Sequence, residues 1–171
     1  MNFHIEPLQE THFERLHQLF DAVCREKRFM AFTQAGSTAQ TFDYYRQLLG
    51  AQETHCVAVQ GPEVLGWCDV VRPIAHVRQH VGTLGMAVRA SHRGQGVGRA
   101  LIEAALAHAA GRGLTRIELT VHAQNTAAQA LYRSVGFEVE GVQRRAWCID
   151  GQCFDVLAMA KLSESPGAAR A

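Results

Sequence analysis

Two stretches of the chain hold residues whose types and spacing suit chemistry. The first is Arg93-Gly94-Gln95-Gly96-Val97-Gly98, where three glycines alternate in six residues. An apolar run ending at Val88 precedes it, and the helix-forming Arg99-Ala100-Leu101 follows. Without a Cβ in the way, such a backbone comes close to a ligand. The first N–H groups of a helix lack intrahelical partners, and the helix dipole favours negative charge there. The chemistry expected is anion binding, most naturally of a phosphate. The second stretch runs from Asn125 through Tyr132 to Gly136-Phe137. It offers an amide suited to capping a helix, a phenol able to donate a proton, and a glycine suited to ending the helix.

Three phosphate-binding designs compete for the glycine loop. A P-loop requires Gly-Lys-Ser/Thr, which is missing. A dinucleotide fingerprint requires Gly-x-Gly-x-x-Gly/Ala, but Arg99 or Leu101 occupies the last position, depending on the register. The third design is Arg-x-x-Gly-x-Gly, which Arg93, Gly96 and Gly98 fit. Downstream come the alternating strand Arg116-Ile117-Glu118-Leu119-Thr120-Val121 and the segment His122 to Phe137. With these, the sequence resembles the GNAT superfamily of acyl-CoA-dependent N-acetyltransferases. The resemblance is strong over Val81 to Leu162 and loose before that. Arg116-Ile117-Glu118-Leu119-Thr120-Val121, Asn125 and Gly136-Phe137-Glu138-Val139-Glu140-Gly141 together are most similar to the branch acting on free amino acids and related small amines.

The resemblance implies an α/β (α+β) GNAT fold. Its central sheet is mixed and mostly antiparallel, with about seven strands flanked by about four helices, splayed between the fourth and fifth strands to admit the pantetheine arm. It implies acetyl-CoA as co-substrate. The pyrophosphate would lie on the loop amides of Arg93, Gly94, Gln95, Gly96, Val97, Gly98 and Arg99. The pantetheine would lie on the backbone of Met86, Ala87 and Val88, with Asn125 and Tyr132 close by. Arg93 and Arg99 are further candidates for phosphate contact, with surface solvation as the plain alternative for each.

Acetyl transfer to an amine has three requirements. The amine must lose a proton, the developing oxyanion needs donors, and the leaving thiolate needs a proton. Tyr132 is the expected general acid. The base stays open between His80, Glu118, His122 and an ordered water, because Gly82-Thr83-Leu84 offers no carboxylate on the central strand. The expected acceptor is a small-molecule primary amine attacking directly in a ternary complex. The alternatives are a protein or peptide N-terminus, or a non-catalytic acyl-CoA-binding sensor domain. Homodimers are common in the family, and composition does not decide the matter.

The elements that must position these residues follow from pattern. The 171 residues are 47% hydrophobic and 19% charged with net charge +1, which suits one domain over 1–162 and a loose tail over 163–171. This charge implies no attraction to nucleic acid or membrane, and with no signal or membrane segment the expected compartment is the cytoplasm. Phe13, Leu16, Phe20 and Val23 share a helical face. A second helix is expected over Thr41 to Leu49, stopped by Gly50. The resemblance implies that this helix–loop–helix region, rich in aromatics at Phe29, Phe32, Phe42, Tyr44 and Tyr45, forms one wall of the acceptor site, with ordinary packing as the plain alternative for each. Strands are expected at Asn2–Ile5, His55–Val59, Val64–Val71, Val81–Val88, from Arg116, at Phe137–Ile149 and at Gln152–Lys161. Asp69 interrupts an apolar strand and faces either solvent or substrate. Gly82 and Gly85 suggest a bulge or a close backbone approach.

His76 and His80 stand four apart but lack a third ligand and a helix, so no metal site is expected. Five cysteines without a Cys-x-x-Cys indicate neither a disulfide scaffold nor a zinc knuckle. Cys148 and Cys153 flank the turn Asp150-Gly151. A cross-strand disulfide is conceivable there, with reduced thiols the expectation for a cytosolic protein.

Overall fold

The computed structural model describes residues 2–163. Seven strands form one sheet: β1 (His4–Pro7), β2 (Thr54–Gln60), β3 (Glu63–Val71), β4 (Val81–Val88), β5 (Arg116–His122), β6 (Glu138–Ile149) and β7 (Gln152–Leu162). Their order is β1-β2-β3-β4-β5-β7-β6. Four helices accompany them: α1 (Phe13–Arg25), α2 (Thr38–Gly50), α3 (Val97–Gly111) and α4 (Thr126–Ser134). The pairs β1–β2, β5–β7 and β6–β7 are antiparallel, whereas β4 and β5 run parallel. The parallel register extends from Val81↔Arg116 to Thr83↔Glu118, the first three residues of an eight-residue strand. This is the expected mixed, mostly antiparallel GNAT fold. Among the described residues, no helix is long and apolar enough to cross a membrane. The part of the tail beyond 163 lies outside the described residues.

The chain divides into two compact units. One holds the chain through Asp69 together with Gly85–Ala105, and the other holds Val70–Leu84 and the chain from Leu106 on. In the first unit, α1 buries Phe13, Leu16, Leu19 and Val23 against Val57, Val59 and Trp67. Leu19 takes the fully buried position, and Phe20 lies at the margin with its ring edge-on to Trp67. Ser37 caps α2 by accepting from the backbone N–H of Gln40, so the helix starts three residues before Thr41. Gly50 remains helical rather than stopping it. The chain turns at Gln52, which has φ 52°, and the N–H groups of Gln52 and Glu53 satisfy the carbonyls of Leu49 and Leu48.

In the second unit, β5 buries Ile117, Leu119 and Val121 as its period of two predicts. His122 breaks the alternation and is also buried, because Phe154 and Trp147 of the β6–β7 hairpin cover its ring. That hairpin turns at Asp150-Gly151, both with positive φ, in the primed geometry that suits the strand twist. The register sets Cys148 directly opposite Cys153, and their sulfurs are bonded. The expectation of two reduced thiols is corrected: the tight turn brings the Cα atoms within 4.1 Å.

Candidate active site

The glycine loop lies in the first unit. A short 3₁₀ turn over Ala90–His92 leads into it, and Gly94 and Gly96 take φ of 71° and 85°. A side chain rarely adopts this region, so the conformation itself requires glycine. The loop delivers the chain to Val97, the first residue of α3, whose Leu101, Ile102, Ala105 and Ala109 are fully buried. The helix start is thereby anchored while Gly94, Gly96 and Arg99 stay exposed. The arrangement presents the orphan N–H groups of a helix N-terminus beside an open backbone, which suits a phosphate.

The arginines of the loop are engaged elsewhere. Arg93 makes two hydrogen bonds to the Glu26 carboxylate, at 2.8 and 2.6 Å, and its Nε donates to the Val88 carbonyl. Arg93 therefore ties the loop to the end of α1. Arg99 pairs with Glu103 one turn along α3. Gln95 donates to the Ser91 carbonyl, closing the loop on itself.

In the second unit, Asn125 is the N-cap of α4, accepting from the Ala128 N–H at 3.2 Å. The other end of the helix closes as a Schellman motif. The Phe137 N–H donates to the Tyr132 carbonyl and the Gly136 N–H to the Arg133 carbonyl, with Gly136 at φ 95°. The Phe137 ring packs on that of Tyr132 at 5.9 Å, the apolar contact that accompanies this motif. Both ends of the nine-residue helix thus restrain Tyr132, which is 8% exposed.

The three expected proton acceptors also fall in the second unit, in different settings. Glu118 is held between the guanidinium groups of Arg78 and Arg116, and Arg116 also grips Glu140. His122 accepts from the Gln124 N–H through Nδ1, so the neutral ring carries its proton on Nε2. Burial lowers its pKa. His80 is exposed just before β4, where its carbonyl receives the N–H groups of Thr115 and Arg116.

Asp69 stands out in the first unit. It is half-buried on β3 and lies beside Gly85 of β4: a Cβ added at Gly85 would meet its Oδ1 at 3.0 Å. Burial pushes its pKa up to about 7, partly opposed by a hydrogen bond from the Trp67 side chain. Tyr44 and Tyr45 of α2 feel its charge. The sequence signal was a single acid in an otherwise apolar strand. Its direction depended on the strand register.

Fold and site together define a class. A family model described as the acetyltransferase (GNAT) family matches residues 14–137, and the chain belongs to that family of acetyl-CoA-dependent acetyltransferases. N-alpha-acetyltransferase RimI from Mycobacterium tuberculosis is 32% identical over 125 residues, covering 72% of this chain and 75% of the relative. Mycothiol acetyltransferase from Kocuria rhizophila is 47% identical over 53 residues, 31% of this chain and 18% of the relative. The chain thus spans less than a fifth of that relative's length. A phosphinothricin acetyltransferase from Sinorhizobium meliloti, solved in complex with acetyl-CoA, shares the fold. Its TM-score is 0.91 at 16% identity, over 100% of this chain and 94% of that one.

Proposed function

We propose that the protein, through an acetyltransferase domain spanning 1–162, transfers the acetyl group of acetyl-CoA to the primary amine of a small molecule, an amino acid or a related amine. The observation that carries this reading is the open glycine loop at the start of α3, in a chain of this family. Positive φ at Gly94 and Gly96 leaves the backbone bare beside the first N–H groups of the helix. A pyrophosphate is the group those amides suit. The backbone of Met86, Ala87 and Val88, all half-buried, would hold the pantetheine arm and donate to the developing oxyanion.

The amine attacks the thioester carbonyl directly, and the C–S bond breaks to release the thiol. Tyr132 donates the proton that the sulfur needs, and Asn125 fixes the helix that carries it. The small acceptor is supported by the aromatic connection of the first unit, where Phe32 and Tyr44 remain 60% and 46% exposed. An aromatic ring within electrostatic reach of a carboxylate, as Tyr44 of α2 is of Asp69, suits a compact ammonium compound.

A peptide N-terminus is the second reading, and the length of the match to N-alpha-acetyltransferase RimI favours it. Mass spectrometry with acetyl-CoA and a mixed panel of amino acids, polyamines, aminoglycosides and short peptides separates the two. Acetylated amino acids or polyamines support the small acceptor, and acetylated peptides alone overturn it. Acetyl-CoA binding without any product supports a sensor domain.

A further inference from the structure

We infer that Asp69 accepts the proton from the acceptor amine: its carboxylate stands beside Gly85, one residue before the β4 backbone that would hold the acetyl donor. The assignment rests on the acetyl-transfer reading above.

The position is built for a carboxylate. Trp67, two residues earlier and so on the same face of β3, is buried, and an acid beside it is expensive to desolvate unless it has a use. Gly85 supplies the space. A Cβ there would crowd Oδ1 at 3.0 Å, with Cγ and Oδ2 in ordinary contact at 3.7 Å. Trp67, two residues earlier on the same strand, is buried against Phe20 and directs a hydrogen bond to the carboxylate, which fixes its orientation. No cation contributes to the environment of Asp69 among the described residues. Its charge is therefore left for an incoming ammonium. This differs from Glu118, which two arginines already neutralise.

The titratable groups that feel the charge of Asp69 are Tyr44 and Tyr45 from α2 and, from the adjacent position of β3, Cys68. Strand β4 has none in Val81–Val88. All three of these groups are pushed upward by burial and stay neutral, so Asp69 is the member of the cluster that titrates near neutrality. A base with its pKa near the working pH is best placed both to be ionised and to hold a proton. The exposed Tyr44 marks the side from which an amine can enter.

The ammonium gives one proton to the Asp69 carboxylate, and the freed lone pair forms the N–C bond to the acetyl carbon. The C–S bond breaks, and the sulfur ends as a thiol after taking a proton from Tyr132. The second nitrogen proton is released and restores Tyr132 through solvent. Asp69 returns its own proton to solvent. The net change is ammonium plus thioester to amide, thiol and one free proton.

The test compares wild type, Asp69→Asn and Asp69→Glu with an amine that the wild type acetylates, measuring kcat/KM across the neutral pH range and acetyl-CoA affinity by calorimetry. Asp69→Asn is expected to lower kcat by about 100-fold or more and to abolish the acidic limb of the profile. Acetyl-CoA affinity should be retained. Asp69→Glu should restore part of the rate and the limb. If Asp69→Asn keeps the wild-type rate and limb, or loses rate only in step with acetyl-CoA affinity, the assignment is overturned.

The carboxyl carbon of Asp69, followed by NMR, gives a readout independent of turnover. Titration near 7 supports the assignment, and titration in the ordinary carboxylate range overturns it. A wild type that binds acetyl-CoA but acetylates nothing overturns the transferase reading itself, and is recognised without any variant.

Discussion

The glycines of the loop and those of the central strands are the same residue kept for opposite reasons. Gly94 and Gly96 have positive φ, yet a Cβ at either would meet nothing within 4 Å. Gly66 and Gly85 have no positive φ but are crowded. A Cβ at Gly66 would come within 2.7 Å of the Ala87 carbonyl oxygen and 2.9 Å of Leu101, and one at Gly85 would press on Asp69. The loop therefore needs glycine for its backbone, and the strands need it for their neighbours. The first requirement is local and can be read from a motif. The second belongs to packing, and at Gly85 it exposes a catalytic candidate that no motif contains.

Substitutions can break this contrast, starting with the largest effect. Gly66→Ala is expected to destabilise by about 3 kcal/mol, because one of the obstructing atoms is backbone and cannot rotate away. Thermal melting should show a Tm lower by about 6–12 °C. Gly96→Ala has free space but an unfavourable φ, which costs about 1–2 kcal/mol. The loop relieves this by rotating its amides, so acetyl-CoA affinity should fall by about tenfold in calorimetry, with a Tm loss of only about 3 °C. Equal Tm losses for the two variants would erase the distinction between conformation and crowding.

Gly85→Ala sharpens the contrast within the strands. The contact at 3.0 Å is with a side-chain oxygen, so Asp69 shifts rather than the fold. Turnover should drop by about tenfold and the acidic limb of kcat/KM should move, with melting close to wild type. An unchanged pH profile would separate Gly85 from Asp69.

The same carboxyl gives stability a pH dependence. Asp69 has a folded pKa of about 7, raised from 3.8 by burial, so the folded state holds the proton more tightly than the unfolded chain. Its contribution to stability is complete below about pH 4 and is lost as pH rises through 7. Asp69→Asn should accordingly match wild type in acid and exceed its Tm above pH 7. A Tm difference independent of pH would argue against a buried, titrating carboxyl.

What was legible in the sequence was what short-range hydrogen bonding decides. The glycine loop opens α3, Asn125 caps α4, Gly136 and Phe137 close it on Tyr132, and Asp150-Gly151 turns the last hairpin. Each of these is completed within a few residues, so type and spacing suffice to read it. The end of α2 shows the limit. Gly50 looked like a stop, but the left-handed position fell to Gln52 two residues later.

Tertiary structure decided the remainder, through partners far apart in the chain. Arg93 reaches Glu26 across 67 residues, and Glu118 meets Arg78 across 40. His122 is buried by a hairpin whose turn comes nearly 30 residues later. Asp69 acquires its meaning from Gly85, which only the neighbouring strand brings beside it. One residue's shift in register would send that carboxylate to the opposite face of the sheet, and no local feature of the chain encodes the register. The sequence by itself thus determined the family, the glycine loop that opens α3 and the capped helix bearing Tyr132. The pairing of strands decided that the Asp69 carboxylate stands beside Gly85.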